Sequence, residues 1–492
     1  MSNKYKKEHG FFKIATGRLA AAALMLLLVC GCGGGGGGGS NNNSGGGGAS
    51  PSEGTELSIV RVGPGTTDPS THQLVRSSTN VLYVIAPDGQ NFPSNPNALL
   101  RVWKANVAGA PTAFSPQDDA HAPASGVISS GIAIDGEDHI HCVWLDSLGN
   151  VNYAVFDAIT NRWGTVNTLT SGAPPGVGQG FQGIALALDN LGNPHVVWNE
   201  DIGFGVQRLS YATREQGVWR PVFPVEDIAT SSSWHPAMAF SPNGNLTIAW
   251  LDGDGSAYGN TGVVRTRVRR SDGNWDASEV FDDWPLVNLD NSPSLLIDSN
   301  GVRHITFTAL AGGVWGAMRY WYDAGAGWRG DRQPPLISSH DPALGPDGYG
   351  GIYLYAHGEV DGSSAGSAAG LGHGKWSMHK SANATSWEPF TQIIAEGSGK
   401  IPAGTGIDDA TNARWSQFFH IQPKTLDFAF WVYSPDAASG YTIYIGTQTI
   451  LCNLTKFSLG KCLKNRYPCD SSGIIIERSR REKNHGMVCV PI

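Results

Sequence analysis

Residues 131–144 read GIAIDGEDHIHCVW, and three later segments repeat the pattern: ALALDNLGNPHVVW at 185–198, AMAFSPNGNLTIAW at 237–250 and SLLIDSNGVRHITF at 294–307. Each begins with a short apolar run that ends on Asp or Ser. A cluster of turn formers follows, then an alternating run that closes on an aromatic residue. The turn residue and the closing aromatic lie nine apart in all four: Asp135 to Trp144, Asp189 to Trp198, Ser241 to Trp250 and Asp298 to Phe307. Pro346 to Tyr355 and Gln422 to Trp431 repeat the spacing with less of the motif. Two apolar runs of this length around a Gly/Asn/Asp turn predict strand, tight hairpin, strand.

A third strand follows each hairpin and ends on another tryptophan: Trp163, Trp219, Trp275, Trp328 and Trp387, spaced 56, 56, 53 and 59 residues apart. An indole that recurs at the end of a repeat is expected to wedge neighbouring sheets together, since it carries a large apolar surface. Hairpins start near Leu74, Asp135, Asp189, Ser241, Asp298, Pro346 and Gln422, which predicts an all-β propeller of seven blades, mostly four-stranded antiparallel sheets. Six or eight blades stay open. A parallel β-helix would repeat about every 20 residues and fits less well. The long interval after Pro346 is assigned to an insertion loop from His357 to His379. Glu56 to Val62 and Tyr441 to Thr447 both read as strands, and one is expected to complete the other's sheet and close the ring.

The hairpin segments and the Gly-x-Trp closers resemble the sialidase-like, BNR-repeat propellers. Ser271-Asp-Gly-Asn-Trp275 resembles a shortened Asp-box. The resemblance implies a fold and leaves the reaction open. Sialidases usually carry an early Arg-Ile-Pro motif, which does not occur here. A second resemblance is to propeller polysaccharide lyases of the ulvan-lyase type. It implies that His121 and His141 form a histidine pair which, with Arg208 and Tyr211 on the next blade, removes the proton beside a uronate carboxylate and neutralises that carboxylate. Against this, Tyr211, Arg267, Tyr320 and His379 each lie eight residues before a closing Trp, and His141, His195 and His304 each fall three before a strand-end aromatic. Both sets are repeat positions, which favours structural roles.

The ends of the chain read differently. Lys4, Lys6, Lys7, Lys13 and Arg18 precede the apolar run Leu19–Val29, which has the length of a signal-peptide core rather than of a membrane span. Gly31-Cys32 resembles the end of a bacterial lipobox and implies lipidation of Cys32 after cleavage, so residues 1–32 form the export signal. Residues 33–50 are Gly, Ser and Asn with one Ala, a flexible tether with an expected span of about 20–25 Å. Gly33, rather than Asp, after the lipid-bearing cysteine points to the outer membrane or cell surface. The propeller is assigned to residues 51–450. Residues 451–492 are a basic tail holding Cys452, Cys462, Cys469 and Cys489. It reads either as a disulfide-stapled appendage or as a non-native reading frame. The formal charge of −8 divides unevenly: both ends are basic, and residues 33–450 carry about −17. An acidic body argues against sequence-independent nucleic-acid binding.

In a propeller the start of each inner strand lies at one mouth of the central channel. That placement nominates His235, His340 and Asp341 as candidate catalytic residues beside Trp234 and Trp415, with His121 as a further candidate outside the repeat. A histidine suits general-base chemistry near neutral pH. The alternative is that these residues satisfy backbone groups at loop ends. Arg208, Tyr211, Trp234, Arg267 and Trp415 are the candidate ligand-binding residues. Arg265, Arg267 and Arg269 share one strand face, either to bind an anionic sugar or to pair with nearby carboxylates. No pattern calls for a cofactor, and no ligand spacing calls for a metal. The expectation is a lipid-anchored envelope protein whose propeller binds extracellular carbohydrate or another surface partner. A glycan-cleaving lyase or hydrolase acting on acidic polysaccharide is the alternative, and a non-catalytic assembly module is the third reading.

Overall fold

The computed structural model describes residues 55–64, 74–88, 99–117, 126–170, 183–202, 206–227, 232–253, 262–280, 293–311, 314–332, 339–347, 350–358, 374–380, 384–389, 391–395, 406–411, 425–433 and 441–450. Cys32, the tether, His121, Trp415 and the tail lie outside the described residues.

The turn chemistry builds the hairpins. Asp135 Oδ1 accepts the backbone N–H groups of Glu137 and His139, both at 2.9 Å. Asp189 does the same for Leu191 and Asn193, and Asp298 for Asn300 and Val302. Ser241 substitutes its hydroxyl, which accepts from Asn245 N–H. Three residues after each turn residue the backbone enters the left-handed region, at Asp138, Gly192, Gly244 and Gly301. Glycine supplies that conformation without a Cβ penalty, and Asp and Asn tolerate it. In the sixth blade the residue with this role is Asp347, whose Oδ1 accepts from Gly351 N–H and which precedes Gly350 with its positive φ. The turn therefore sits one residue after Pro346, the position that the nine-residue spacing selects.

These hairpins assemble into seven antiparallel sheets. Blade 1 comprises Leu74–Arg76, Val81–Asp88, Leu99–Ala108 and Phe114–Pro116. Blade 2 comprises Val127–Ile134, His139–Asp146, Val151–Asp157 and Asn167–Thr170, with Arg162–Trp163 also paired to the third strand. Blade 3 holds Ile184–Leu188, Pro194–Asp201 and Gln207–Glu215, with Val218–Trp219 and Phe223–Pro224 both paired to the third strand. Blade 4 comprises Ser232–Phe240, Leu246–Gly253, Gly262–Arg269 and Glu279–Val280. Blade 5 has three described strands, Ser294–Ile297, Arg303–Ala311 and Val314–Asp323. Blade 6 comprises Ser339–Pro346, Ile352–Gly358, Gly374–Lys380 and Thr391–Ala395. His357 and His379 thus belong to strands, and the expected insertion narrows to residues 359–373, outside the described residues.

Blade 7 takes Gly406–Thr411, Thr425–Tyr433 and Tyr441–Ile450 from the end of the repeat region and Thr55–Pro64 from its start. The early strand pairs antiparallel with the last, Thr55 opposite Ile450. This is the expected closure of the ring, and it removes the two free edges that an open array would expose.

The cores lie between blades rather than within them. One apolar cluster joins blades 1 and 2 around Trp144, another joins blades 2 and 3 around Trp198, and a third joins blades 3 and 4 around Trp250. Further clusters join blade 4 to 5, blade 5 to 6 and blade 7 to 1. Between blades 6 and 7, Tyr355 stacks on Phe428 with ring centroids 4.8 Å apart. Trp144, Trp198 and Trp250 are fully buried. The strand-end aromatics therefore supply the seams.

A buried ion pair reinforces the closure. Arg76 on blade 1 donates from Nε and Nη2 to the two carboxylate oxygens of Asp427 on blade 7, at 2.5 and 2.6 Å. Thr447 Oγ1 donates to the same carboxylate, and Arg76 Nη1 donates to the carbonyls of Asn80 and Gly109. Arg76→Met should strand a buried carboxylate and cost about 3–5 kcal/mol, whereas Arg76→Met with Asp427→Leu should recover most of that loss. Urea denaturation followed by tryptophan fluorescence measures both. Equal losses in the single and double variants would contradict this role of the pair.

Candidate functional site

The sixth residue after the turn carries a histidine in three blades, and each histidine is built into the same buried relay. Tyr153 O–H donates to His141 Nδ1 at 2.6 Å, and His141 Nε2 approaches Asp135 Oδ2 at 3.3 Å. In blade 3 the hydroxyl of Tyr211 lies 2.5 Å from His195 Nδ1, with His195 Nε2 3.7 Å from Asp189. In blade 5, Tyr320 and His304 are 2.7 Å apart, and His304 lies 3.6 Å from Asp298. Burial alone would raise the Asp135 carboxyl, but the bonds from His141, from the turn and from His139 outweigh it and hold it well below the usual carboxylate range. Asp189 is similarly held down, to about 2. Burial pushes the phenols of Tyr153, Tyr211 and Tyr320 up, so they remain donors.

Each relay tyrosine presents its ring to the closing tryptophan of the next blade. Tyr153 meets Trp219 edge-on at 5.0 Å, Tyr211 meets Trp275 at 5.3 Å, and Tyr320 meets Trp387 at 5.1 Å. In blade 4 the same ladder position is Thr266, whose Oγ1 accepts from Trp328 Nε1 at 3.1 Å. The register explains the correspondence: Tyr211 stands opposite Val197, and Thr266 stands opposite Ala249. Counting eight back from the closing Trp assigns Arg267 to this slot, one residue short of Thr266, because the last hairpins differ in length.

His141 and Tyr211 belong to different relays and do not meet. Arg208 is half-buried and stands opposite Glu200 in the ladder. Trp234 is buried in the cluster between blades 4 and 5. His235 is fully buried, with φ +49°, in the bulge between Trp234 and Ala237. His340 opens the equivalent bulge of blade 6, between His340 and Ala343, with Asp341 inside it, and the side chains of both lie outside the described residues. The arginine face pairs with carboxylates: Arg265 with Asp252 and Arg269 with Glu215. Arg267 lies over the Trp275 ring and donates to the carbonyls of Val225 and Asp276. Among the described residues no group of three or more His, Cys, Asp or Glu side chains is arranged to hold a metal.

A cavity of about 210 Å³ opens at the outer seam between blades 2 and 3. One wall is Asn167, Thr168 and Leu169 on the outer strand of blade 2. The other is Trp219, Arg220 and Val222 of blade 3, with Ala212 as the floor. Thr168 Oγ1 donates to Asn152 Oδ1, which ties the first wall to the strand behind it. Arg220 Nε donates to Glu215 Oε2 at 2.9 Å, and Arg269 shares the same carboxylate through Oε1. The indole N–H of Trp219 has no hydrogen-bond partner.

The groove exists because position 212 is small. Ala212 faces blade 2 from its place opposite Val196. The same register holds Arg267, opposite Ile248, at the seam of blades 3 and 4, and Trp321, opposite Ile305, at the seam of blades 4 and 5. Those large side chains fill the space that Ala212 leaves open. Blade 2 also has a small residue there, Ala154, but Trp163 folds against Phe156 and Trp144 of its own blade. The repeat spacing marks Trp219 as a wedge between blades and singles out none of Asn167, Thr168, Arg220 and Ala212. The contrast of Ala212 with Arg267 and Trp321 was the available signal, once the register was known.

Blade 6 rearranges the relay. Tyr353 occupies the histidine position, and His379 stands directly across the ladder from it. His379 Nε2 lies 2.9 Å from Asp347 Oδ2, and its Nδ1 lies 3.3 Å from Glu388. Burial alone would depress this imidazole, but the bond and charge of Asp347, with Glu388, outweigh burial and raise it. A raised histidine stabilises the fold fully below its unfolded value of about 6.5, and that contribution is lost as pH rises through the folded value. His195 has the opposite sign, since burial lowers it. The stability difference between the native chain and His379→Gln should therefore shrink from pH 6 to pH 9 in thermal unfolding series. A difference that is constant or grows over that range would contradict the assignment.

No family model matches the chain, and no curated protein matches its sequence. Among solved structures it is similar to the BP39L lectin from Burkholderia pseudomallei, with a TM-score of 0.52 and 13% identity over 76% of this chain and 96% of that one. It is also similar to an ulvan lyase bound to -[GlcA(1-4)Rha3S]-, with a TM-score of 0.48 and 12% identity over 78% of this chain and 94% of that one. A third is the phage phi92 endosialidase, with a TM-score of 0.45 and 9% identity over 88% of this chain and 76% of that one. At these identities the likeness is one of fold, and that fold is the β-propeller that the seven sheets of this chain build.

Proposed function

We propose that this chain is a lipid-anchored protein of the bacterial cell envelope whose propeller binds carbohydrate at the seam of blades 2 and 3. The observation that carries the reading is the groove between Asn167–Thr168 and Trp219–Arg220. An indole wall suits the C–H face of a sugar ring, and amide, hydroxyl and guanidinium groups suit its hydroxyls. The volume of about 210 Å³ falls below the roughly 300–1,000 Å³ typical of drug-sized ligands, which matches one saccharide unit. The Arg220 guanidinium is already paired with Glu215, which favours a neutral sugar over a polyanion as ligand. The fold shared with a lectin supports the reading at the level of architecture. The apolar run before Cys32 and the Gly-rich tether support the anchor.

A glycan array followed by isothermal titration, with the full-length chain in detergent, tests the binding. Saturable binding to a neutral saccharide is expected. Trp219→Ala and Ala212→Arg should each weaken it by at least about tenfold, equivalent to ~1.4 kcal/mol, while melting stays cooperative. No binding to any saccharide at millimolar concentration would sink the proposal. The anchor has its own test. Cys32→Ser should abolish metabolic labelling by an alkynyl fatty acid and release the chain from the membrane fraction, and labelling that persists in this variant would refute lipidation at Cys32.

A further inference from the structure

We infer that the Asp135–His141–Tyr153 relay is a positioning device for the groove, so that residues outside it set the geometry of its walls. The inference rests on the binding reading above but follows from separate contacts. Tyr153 lies on the third strand of blade 2, directly opposite Asn167 in the ladder. Its ring meets Trp219 of blade 3 edge-on at 5.0 Å, with 77° between the planes. The one residue is therefore the ladder partner of one wall and, through its buried ring, the contact of the indole in the other. Its own freedom is removed by the hydroxyl bond to His141 at 2.6 Å. His141 is held in turn by Asp135, whose other oxygen is fixed by the hairpin backbone. The relay runs from the hairpin turn of blade 2 to the binding indole.

The molecule contains a matched control. Tyr211, His195 and Asp189 take the corresponding places one blade on, against Trp275, with the same tyrosine–histidine bond and a longer histidine–aspartate separation of 3.7 Å. At that seam Arg267 fills the space over the indole. Losing either tyrosine hydroxyl leaves a buried imidazole nitrogen without its donor, a similar cost in both blades. The Tyr153 ring meets the groove's indole, whereas the ring of Tyr211, next to Ala212 in the chain, meets Trp275 at the other seam.

The test compares Tyr153→Phe with Tyr211→Phe in the full-length chain labelled with 5-fluorotryptophan. The Trp219 fluorine resonance is assigned by its absence in Trp219→Phe. Both tyrosine variants should lower the melting temperature to a similar extent. Only Tyr153→Phe should shift or split the Trp219 resonance, and only it should weaken binding of methyl glycosides of glucose, galactose, mannose or fucose, by about three- to tenfold for whichever binds. A Trp219 resonance unmoved by Tyr153→Phe, or moved equally by Tyr211→Phe, overturns the inference. Should Tyr153→Phe fail to fold, Asp135→Asn against Asp189→Asn gives the same comparison. If the native chain binds none of the glycosides, the binding proposal falls, while the fluorine comparison still decides whether the relay positions Trp219.

Discussion

A blade of this protein has no core of its own, and everything else follows from that constraint. Each small sheet carries apolar side chains on both faces, and they leave water only against the neighbouring sheets. At roughly 25 cal/mol per Å² of apolar surface, a buried indole is among the largest single contributions available to a seam. Trp144, Trp198 and Trp250 fill the middle of successive seams, and Trp219, Trp275 and Trp387 reach across to a tyrosine on the preceding blade. A chain of such contacts gains fully only when its ends meet. The pairing of Thr55–Pro64 with Tyr441–Ile450 and the Arg76–Asp427 pair supply that meeting.

The same constraint explains where a binding site can arise. The seams are built from equivalent registers, so a change of volume at one register opens or closes one seam without disturbing the others. Arg267 and Trp321 close theirs, and Ala212 leaves the seam of blades 2 and 3 open beneath Trp219. The polar groups that remain there are held by their own partners: Thr168 by Asn152, and Arg220 by Glu215. A rigid site of this kind loses little ordering entropy on binding. The relays that look catalytic in composition are buried, and each holds its tyrosine hydroxyl against an imidazole. They serve the hairpins and the indoles.

The fold was legible because its signals are local. An aspartate that accepts two backbone N–H groups, a left-handed residue three positions later and an aromatic nine positions later all lie within one hairpin. The reading slipped by one residue at Pro346, where Asp347 makes the turn, and it extended the blade 6 loop into strands that hold His357 and His379. The site was much less legible. Asn167 and Trp219 come from different blades, and the cavity between them depends on the size of Ala212, which an alternating pattern does not distinguish from Arg267 or Trp321. Spacing from the closing tryptophan also misaligned Arg267 with Tyr211, because the outer hairpins differ in length and only the ladder reveals Thr266 as the equivalent residue. His235 looked like a base at a channel mouth, and the structure buries it in a bulge.

The most direct measurement is a crystal structure of the protein soaked with the saccharide that binds it best. A sugar ring lying against the Trp219 indole, with hydroxyls at Asn167, Thr168 or Arg220, is the result this account requires. A sugar bound at the mouth of the central channel, or at a seam filled by Arg267 or Trp321 while the Ala212 seam stays vacant, would contradict it.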